Sequence, residues 1–243
     1  MKILMVLTSH AQLGSSEEKT GFGLEGFATP YYMFKDAGAA IILASPEGGE
    51  PPIDPREDNP SPRTEIVMRL RNDAAAQLAL ADTVRLRDIL VDDFDAVFYA
   101  GGLGPLWDLA NDNSSIKLIE QMLRAGKPVA AVGHAVGVFR YATSEPDGAS
   151  VVDGKAVTGF SNTEEEAMGL TNVVPFLVED MLRRAGGKYT KAEDWQPQVV
   201  SDGALITGQN SASSELAAKV LMEKVSFFSA AGFVRSIPWN TAV

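Results

Sequence analysis

The chain contains no cysteine and only two histidines, His10 and His134. Without cysteine it forms no disulfide, holds no cysteine-ligated zinc and has no catalytic thiol, whatever its compartment. Two imidazoles are also too few for a histidine-rich metal site. Phosphate-loop, dinucleotide-binding and metal-binding motifs are missing as well, so the sequence predicts neither a metal nor a cofactor.

Basic residues are scarce, with 21 lysines and arginines against 32 acidic residues and a formal charge of −11. Nucleic acids and anionic membrane surfaces select for basic patches, so neither is an expected partner. No apolar run approaches the roughly 20 residues that span a bilayer, and residues 1–10 resemble a short strand more than a signal peptide. We therefore expect a cytoplasmic protein.

Apolar runs of strand length alternate with segments of helical periodicity along the chain. The strands are predicted at residues 2–9, 40–44, 94–100, 128–132 and 155–160, and the helices at 30–37, 114–125, 175–185 and 213–229. Residues 47–62 read as an irregular loop, followed by a helical stretch to about residue 81, and residues 196–209 as a hairpin that turns at Asp202-Gly203. This order predicts an α/β sandwich with a mostly parallel sheet in one domain, residues 1–243.

Two glycine-containing turns follow predicted strands of this sheet. GGLGP follows the strand at 94–100, and Gly133-His134 follows the strand at 128–132. Sites in parallel sheets lie at the carboxyl ends of strands, so these turns are candidates for a binding site. Backbone N–H groups at Gly102, Leu103 and His134 are candidates to receive an oxyanion or a carboxylate.

Five segments carry a resemblance to a known family. TGFGLEGFATPYYMF, YAGGLGPLWDL, VAAVGHAVGVF, VTGFSNTEEEA and DWQPQVVSDGALITGQN follow one another along nearly the whole chain. In order and spacing they resemble the ThiJ/PfpI superfamily, which has a type 1 glutamine amidotransferase-like fold, in its glyoxalase III and Hsp-type chaperone branch. The resemblance implies a flavodoxin-like three-layer sandwich and a homodimer.

The resemblance also implies a catalytic set. Family members bear a Cys-His pair at a strand-to-helix turn, a glutamate beside the cysteine and an acidic residue behind the histidine. By position these are Gly133, His134, Glu25 and Glu165. Glycine leaves the nucleophile position vacant, Leu103 stands where close relatives show a histidine, and a covalent hemithioacetal mechanism has no thiolate to start from.

The remaining polar candidates each have two interpretations. If Glu25 is buried in its apolar segment, desolvation raises its pKa and suits it to proton transfer; otherwise it is a solvated loop carboxylate. His134 either pairs with Glu165 and turns its other nitrogen to a cavity, or it is a structural histidine. Glu165 lies in a run of three glutamates, a pattern typical of a solvated face.

Three functions are compatible with these residues. The first is an enzyme that binds a small carbonyl or carboxylate compound and uses Glu25, with or without His134, for non-covalent acid/base chemistry of the lyase, hydratase or isomerase type. The second is an inactive binding or chaperone-like pseudoenzyme. The third is a conventional glyoxalase III or deglycase whose cysteine has been replaced by engineering.

Overall fold

The structure, a computed structural model, describes residues 1–56, 64–144 and 148–235. The strands are β1 (Lys2–Val6), β2 (Ala40–Ser45), β3 (Val84–Arg85), β4 (Ala96–Tyr99), β5 (Val129–Val132), β6 (Ala156–Val157), β7 (Lys188–Tyr189), β8 (Val199–Asp202) and β9 (Leu205–Gly208). The α-helices are α1 (Leu24–Asp36), α2 (Glu65–Asn72), α3 (Ala74–Ala81), α4 (Asn113–Arg124), α5 (Asn162–Ala167), α6 (Val178–Arg184) and α7 (Ser214–Arg235). Short 3₁₀ helices are formed by Leu86–Asp88, Val91–Asp93, Gly104–Leu106, Gly133–Arg140 and Ser211–Ser213.

Seven strands form the central sheet in the order β3-β2-β1-β4-β5-β9-β8. All neighbouring pairs are parallel except β8 and β9, which form the antiparallel hairpin at one edge. The predicted α/β fold with a mostly parallel sheet and an added hairpin is confirmed. Among the described residues, no helix has the length and apolar content needed to cross a membrane.

Alternate residues of the central strands enter two separate hydrophobic clusters. In β4, Val97 and Tyr99 pack with α4 and α6, whereas Ala96 and Phe98 pack with α1, α2 and α7. This period of two places successive side chains on opposite faces of the sheet. Helices therefore cover both faces, which explains why the buried strands read as continuous apolar runs.

Asp108 fixes the turn after β1 against the turn after β4. Its Oδ2 accepts hydrogen bonds from the Thr8 hydroxyl at 2.8 Å and the Ser9 amide at 2.7 Å, and its Oδ1 accepts one from the Leu109 amide at 2.6 Å. Burial raises the pKa of this carboxyl, and the three donors act in the opposite direction. Asp108 is thus a structural cap at the edge where the strands end.

Several predicted elements differ from the observed ones. Helix α1 begins at Leu24 rather than at Pro30, because its apolar residues continue the helical period toward the N-terminus. The strand predicted at 155–160 shrinks to β6 and pairs with β7 outside the main sheet. In the hairpin, Asp202 pairs with Leu205, so the turn is Gly203-Ala204. Part of the predicted 47–62 loop lies outside the described residues.

Candidate functional site

A cavity of about 320 Å³ opens where the neighbouring strands β4, β5 and β9 end. This volume is within the range of small-molecule sites. The residues that line it come from the turns after these strands and from other segments of the chain: Asp54, Arg56, Gly102, Leu103, Gly133, His134, Phe160, Met168, Trp195, Asn210, Ser211 and Ala212. Both glycine-containing turns singled out from the sequence therefore meet at one cavity.

Gly133 occupies the turn between β5 and the 3₁₀ helix that follows it. Its φ is +61°, a conformation in which side-chain-bearing residues are strained. A Cβ atom placed here would have as its nearest neighbour the Asn210 Cα atom, at 3.7 Å, which is ordinary van der Waals contact. Glycine at this position thus relieves backbone strain, and it leaves an open space where a nucleophile would project.

His134 is buried beside the cavity and held from two sides. Its Nε2 lies 2.8 Å from Oε2 of the buried Glu165, and its ring lies against Phe160 with 3.9 Å between ring centroids. Because a carboxylate accepts, Nε2 is the donor and a neutral imidazole presents Nδ1 as an acceptor. The described residues make no hydrogen bond to Nδ1, so this nitrogen is available for a ligand.

Glu25 does not share this environment. It lies exposed in the first turn of α1 and is not among the residues that line the cavity. Of its two interpretations, the structure supports the solvated carboxylate, at the start of a helix rather than in a loop, and it does not bring Glu25 together with His134 and Glu165. The reason is helical phase: Leu24, Phe27 and Ala28 face the core, which turns Glu25 outward.

Gly26 takes the inward position instead. It is buried, and a Cβ atom placed on it would lie 3.7 Å from Ser214 Oγ and 3.9 Å from Ser211 Oγ. Ser211 lines the cavity. The residue whose side chain would project toward the site from α1 is therefore position 26, and here it has no side chain.

The predicted oxyanion residues Gly102 and Leu103 both line the cavity. Gly102 has φ +123°, and a Cβ atom there would lie 2.5 Å from the Gly21 carbonyl oxygen, so the packing of these two segments requires glycine. Leu103 is buried and contributes an apolar wall. A role for their amides in binding an oxyanion stays a prediction.

Arg56 is a cavity residue that the sequence did not distinguish. Its guanidinium binds the buried Asp54 carboxylate, with Nε 3.0 Å from Oδ1 and an Nη atom 2.6 Å from Oδ2. Asp54 Oδ2 also accepts a hydrogen bond from the Thr20 hydroxyl at 2.9 Å. Among the described lining residues, Arg56 is the only lysine or arginine. A proline- and acid-rich loop gave no signal that this arginine faces a cavity.

Glu164 is a second residue that the sequence did not distinguish, and it supports the floor of the site. It is fully buried, and its Oε1 accepts hydrogen bonds from the Trp195 amide at 2.8 Å, Asn210 Nδ2 at 2.7 Å and Gln209 Nε2 at 3.1 Å. Its Oε2 accepts from the Ser161 amide at 3.0 Å and hydroxyl at 2.9 Å. The glutamate run is therefore not a solvated face: of its three members, only Glu166 is exposed.

Trp195 stands at the mouth of the cavity in a strained conformation. Its φ is +66°, the only positive value among the described residues other than glycine, and its side chain is 49% exposed. The hydrogen bond that the Trp195 backbone amide donates to Glu164 Oε1 holds this backbone in place. Its ring makes an edge contact with the Phe160 ring, with 6.0 Å between the ring centroids. Phe160 therefore lies in contact with both the exposed indole and His134.

A sequence profile described as the DJ-1/PfpI family matches residues 19–224. The chain belongs to the DJ-1/PfpI family. Glyoxalase 3 of Candida albicans is 26% identical over 88% of this chain and 94% of its own length. The solved structure of glyoxalase III from the same organism has a TM-score of 0.83, with 26% identity over 92% of this chain and 97% of that one.

A second solved structure shows a similar degree of agreement. Rapid Encystment Protein 24 kDa of Francisella tularensis has a TM-score of 0.88 and 35% identity, covering 92% of this chain and 98% of that one. These likenesses confirm the resemblance to the glyoxalase III branch of the superfamily. This DJ-1/PfpI member is a homologue of glyoxalase III-like proteins that has no cysteine.

The groups present at the site support proton transfer and ligand binding. The His134–Glu165 pair supplies a nitrogen that can accept or donate a proton, and Arg56, ion-paired with Asp54, supplies a guanidinium group at the cavity. Leu103 and Phe160 supply apolar surface. Among the described residues, no group of His, Cys, Asp and Glu side chains is arranged to hold a metal ion.

Proposed function

We propose that the protein binds a small carbonyl or carboxylate compound and catalyses non-covalent proton transfer on it, in a reaction of the lyase, hydratase or isomerase type. One observation carries this proposal: His134 is buried, is held by Glu165 through Nε2, and lines a ligand-sized cavity that has no thiol. A histidine oriented by a carboxylate is a common general base. The glyoxalase names of the relatives support a small carbonyl compound as the ligand.

The cavity walls support this class of ligand. Arg56 offers charge to a carboxylate, while Leu103, Phe160, Met168 and Trp195 offer apolar surface to a short carbon chain. An apolar pocket with a few polar groups is typical of small-molecule sites. We also expect the backbone amides of the turns at Gly102 and Gly133 to bind an anionic oxygen, since turns and helix starts present unpaired N–H donors.

The proposed step is a proton transfer without a covalent adduct. His134 Nδ1 takes a proton from the carbon next to a carbonyl group; the C–H bonding pair forms a carbon–carbon double bond, and the carbonyl π pair moves to oxygen, which gives an enolate. The Glu165 carboxylate stabilises the imidazolium that forms. Return of the proton to carbon, or loss of a leaving group from the enolate, completes an isomerase or lyase reaction. Glu25 takes no part in this proposal, because it is exposed outside the cavity.

Proton exchange in heavy water tests the proposal without knowledge of the true substrate. Pyruvate, hydroxyacetone, methylglyoxal and lactaldehyde are incubated in D₂O, and NMR follows the loss of protons next to each carbonyl. We expect His134→Gln to lower enzyme-dependent exchange by about 10²–10⁴-fold. The matched control is Glu25→Gln, another neutral amide substitution, which should leave exchange unchanged. Exchange that persists in His134→Gln contradicts the mechanism.

The second candidate is an inactive binding or chaperone-like protein. The observation that favours it is the double vacancy at the centre of the site, where Gly133 lacks a nucleophile and Gly26 lacks any inward side chain. Under this candidate no carbonyl compound exchanges protons above the buffer rate. The protein would suppress heat aggregation of a model client equally well as wild type and as His134→Gln.

A further inference from the structure

Position 26 holds a glycine that the backbone does not require. Gly26 lies in the first turn of α1 and is not among the glycines with positive φ. A Cβ atom there would meet its nearest neighbours at 3.7 Å and 3.9 Å, so alanine fits without displacing any atom. Because alanine favours helix over glycine, the chain gives up stability at this position.

The space that Gly26 leaves is lined by hydroxyl groups. We call the space bounded by Gly26, Ser211 and Ser214 the Gly26 vacancy. Ser214 is 2% exposed, and its buried Oγ has no hydrogen-bond partner among the described residues. A buried hydroxyl without a partner costs free energy, and most such groups are satisfied by water or a ligand. The vacancy is therefore a place that needs an oxygen or nitrogen atom.

The Gly26 vacancy adjoins the cavity. Ser211 belongs to both, since it lines the cavity and its Oγ faces the Cβ position of Gly26. The vacancy also lies at the first turn of α1 and the first residue of α7, where helix ends carry partial positive charge. Because the field near these two helix N-termini favours electronegative atoms, an oxygen atom is electrostatically more favourable in the vacancy than a methyl group.

We infer that the Gly26 vacancy is an oxygen subsite, hydrated in the free protein and occupied by a hydroxyl or oxo oxygen of the bound ligand. The inference rests on the proposed ligand cavity and narrows its occupant. With Arg56 to bind a carboxylate and the vacancy to bind a second oxygen, the ligand class is a small hydroxy- or oxocarboxylate.

Lactate and propionate test the subsite, because they differ by one hydroxyl group. Wild type should bind lactate more tightly, by roughly two- to tenfold, the effect of one neutral hydrogen bond. Ser214→Ala should bring the ratio of the two dissociation constants to about one, since only the hydroxyl is removed. Equal binding in wild type, or no binding of either acid, overturns the ligand assignment. A crystal structure supplies the second measurement: an ordered oxygen in hydrogen-bond reach of Ser214 Oγ supports the subsite, and a dry vacancy overturns it.

Gly26→Ala separates a subsite from a mere packing defect. If the vacancy is a hydrated subsite, the alanine methyl group displaces the oxygen from Ser214 Oγ, so this variant should lose the preference for lactate and unfold at lower urea, whereas filling a packing defect would raise the urea midpoint. Glu25→Ala is the matched control, because it changes the neighbouring exposed residue and should preserve the preference. His134→Gln should also preserve it while abolishing proton exchange, so failure of the proposed catalysis and failure of the subsite are distinguishable. A lactate preference that survives in Gly26→Ala contradicts the inference.

Discussion

Removal of the Glu164 carboxylate tests how the site is held together. Its two oxygens accept five hydrogen bonds, from the Trp195 amide, Gln209, Asn210 and both the amide and the hydroxyl of Ser161. Glu164→Ala removes all of these acceptors at once and leaves a cavity in their place. The free energy of unfolding should fall accordingly.

The size of the loss follows from which donors can find another partner. Trp195 lies at the surface, where water can replace the carboxylate, and Asn210 Nδ2 keeps a bond to a backbone carbonyl at 3.0 Å. The Ser161 amide and Gln209 Nε2 are buried and have no such substitute. At about 1–3 kcal/mol for each unsatisfied buried donor, we expect Glu164→Ala to cost about 3–5 kcal/mol.

Glu164→Gln should be less damaging. Glutamine keeps the shape, and its carbonyl oxygen can retain the three donors that now meet Oε1. Its NH₂ group then faces Ser161, where the hydroxyl can turn to accept but the amide cannot. Because two donors, the new NH₂ group and the Ser161 amide, then face each other, we expect the free energy of unfolding to fall by about 1–3 kcal/mol. This places the stability of Glu164→Gln between those of wild type and Glu164→Ala.

Urea denaturation followed by circular dichroism measures these differences. Glu166→Ala is the matched control, because it removes an adjacent glutamate that is exposed and should change the free energy of unfolding by less than about 0.5 kcal/mol. The reasoning is refuted if Glu164→Ala loses no more than Glu166→Ala, or if the glutamine and alanine variants are equally unstable.

Four further outcomes follow from the structure. Gly26→Ala gains about 0.5–1 kcal/mol of helix propensity but loses about 1–3 kcal/mol by displacing the water on Ser214 Oγ, so the free energy of unfolding should fall, and a urea midpoint above wild type contradicts hydration of the vacancy. Hydrogen bonds from Lys35 and the Ala76 amide lower the Asp73 pKa from 3.8 to about 2. The ionised carboxylate therefore stabilises the folded state almost fully above about pH 4, and this stabilisation is lost as the pH falls through 2. Asp73→Asn should cost about 1 kcal/mol at pH 7 and clearly less at pH 2, where the Asp73 carboxyl is half protonated, as measured by urea unfolding at both pH values. Gly133→Cys should fold and react with a thiol reagent, yet neither it nor wild type should convert methylglyoxal to lactate appreciably faster than buffer in a lactate assay. Light scattering should give a homodimer, and a mass near 25.9 kDa at micromolar concentrations contradicts that expectation.

The sheet and the position of Gly133 could be predicted from the sequence because their signals are local. A buried parallel strand reads as an apolar run, and β5 ends directly at the glycine. The pairing of His134 with Glu165, in contrast, came from the family resemblance. Spacing alone does not bring together two residues that lie 31 positions apart in the chain.

The phase of α1 is where sequence reasoning failed. A helix placed at Pro30 left Glu25 in a loop, where its orientation is undefined. In the structure Pro30 lies inside a helix that begins at Leu24, and one residue of phase decides whether Glu25 or Gly26 faces the site. Because glycine has no side chain, its inward position does not contribute to the periodic pattern of apolar residues from which a helix is predicted.

Buried polar residues were the other failure, for a physical reason. Glu164 looks like one member of a solvated charge run, and its burial depends on donors from positions 31, 45 and 46 residues away. Burial of a carboxylate is tolerated only when such donors are assembled around it. That assembly is a property of the tertiary fold, and no local pattern encodes it.

Three unfavourable features lie at or beside the cavity, and they bear on the choice between an enzyme and an empty scaffold. Trp195 has a strained φ, and Ser214 has a buried hydroxyl without a partner among the described residues. Gly26 occupies a helix position at which alanine has the higher helix propensity. Gly102, which also lines the cavity, is required by backbone contact, so its lack of a side chain needs no functional reason. Where local rules are broken without structural need, the usual cause is a site that binds something. A ligand oxygen bound to Ser214 Oγ would remove the cost of that unsatisfied hydroxyl, which favours a cavity that binds a ligand over an empty scaffold.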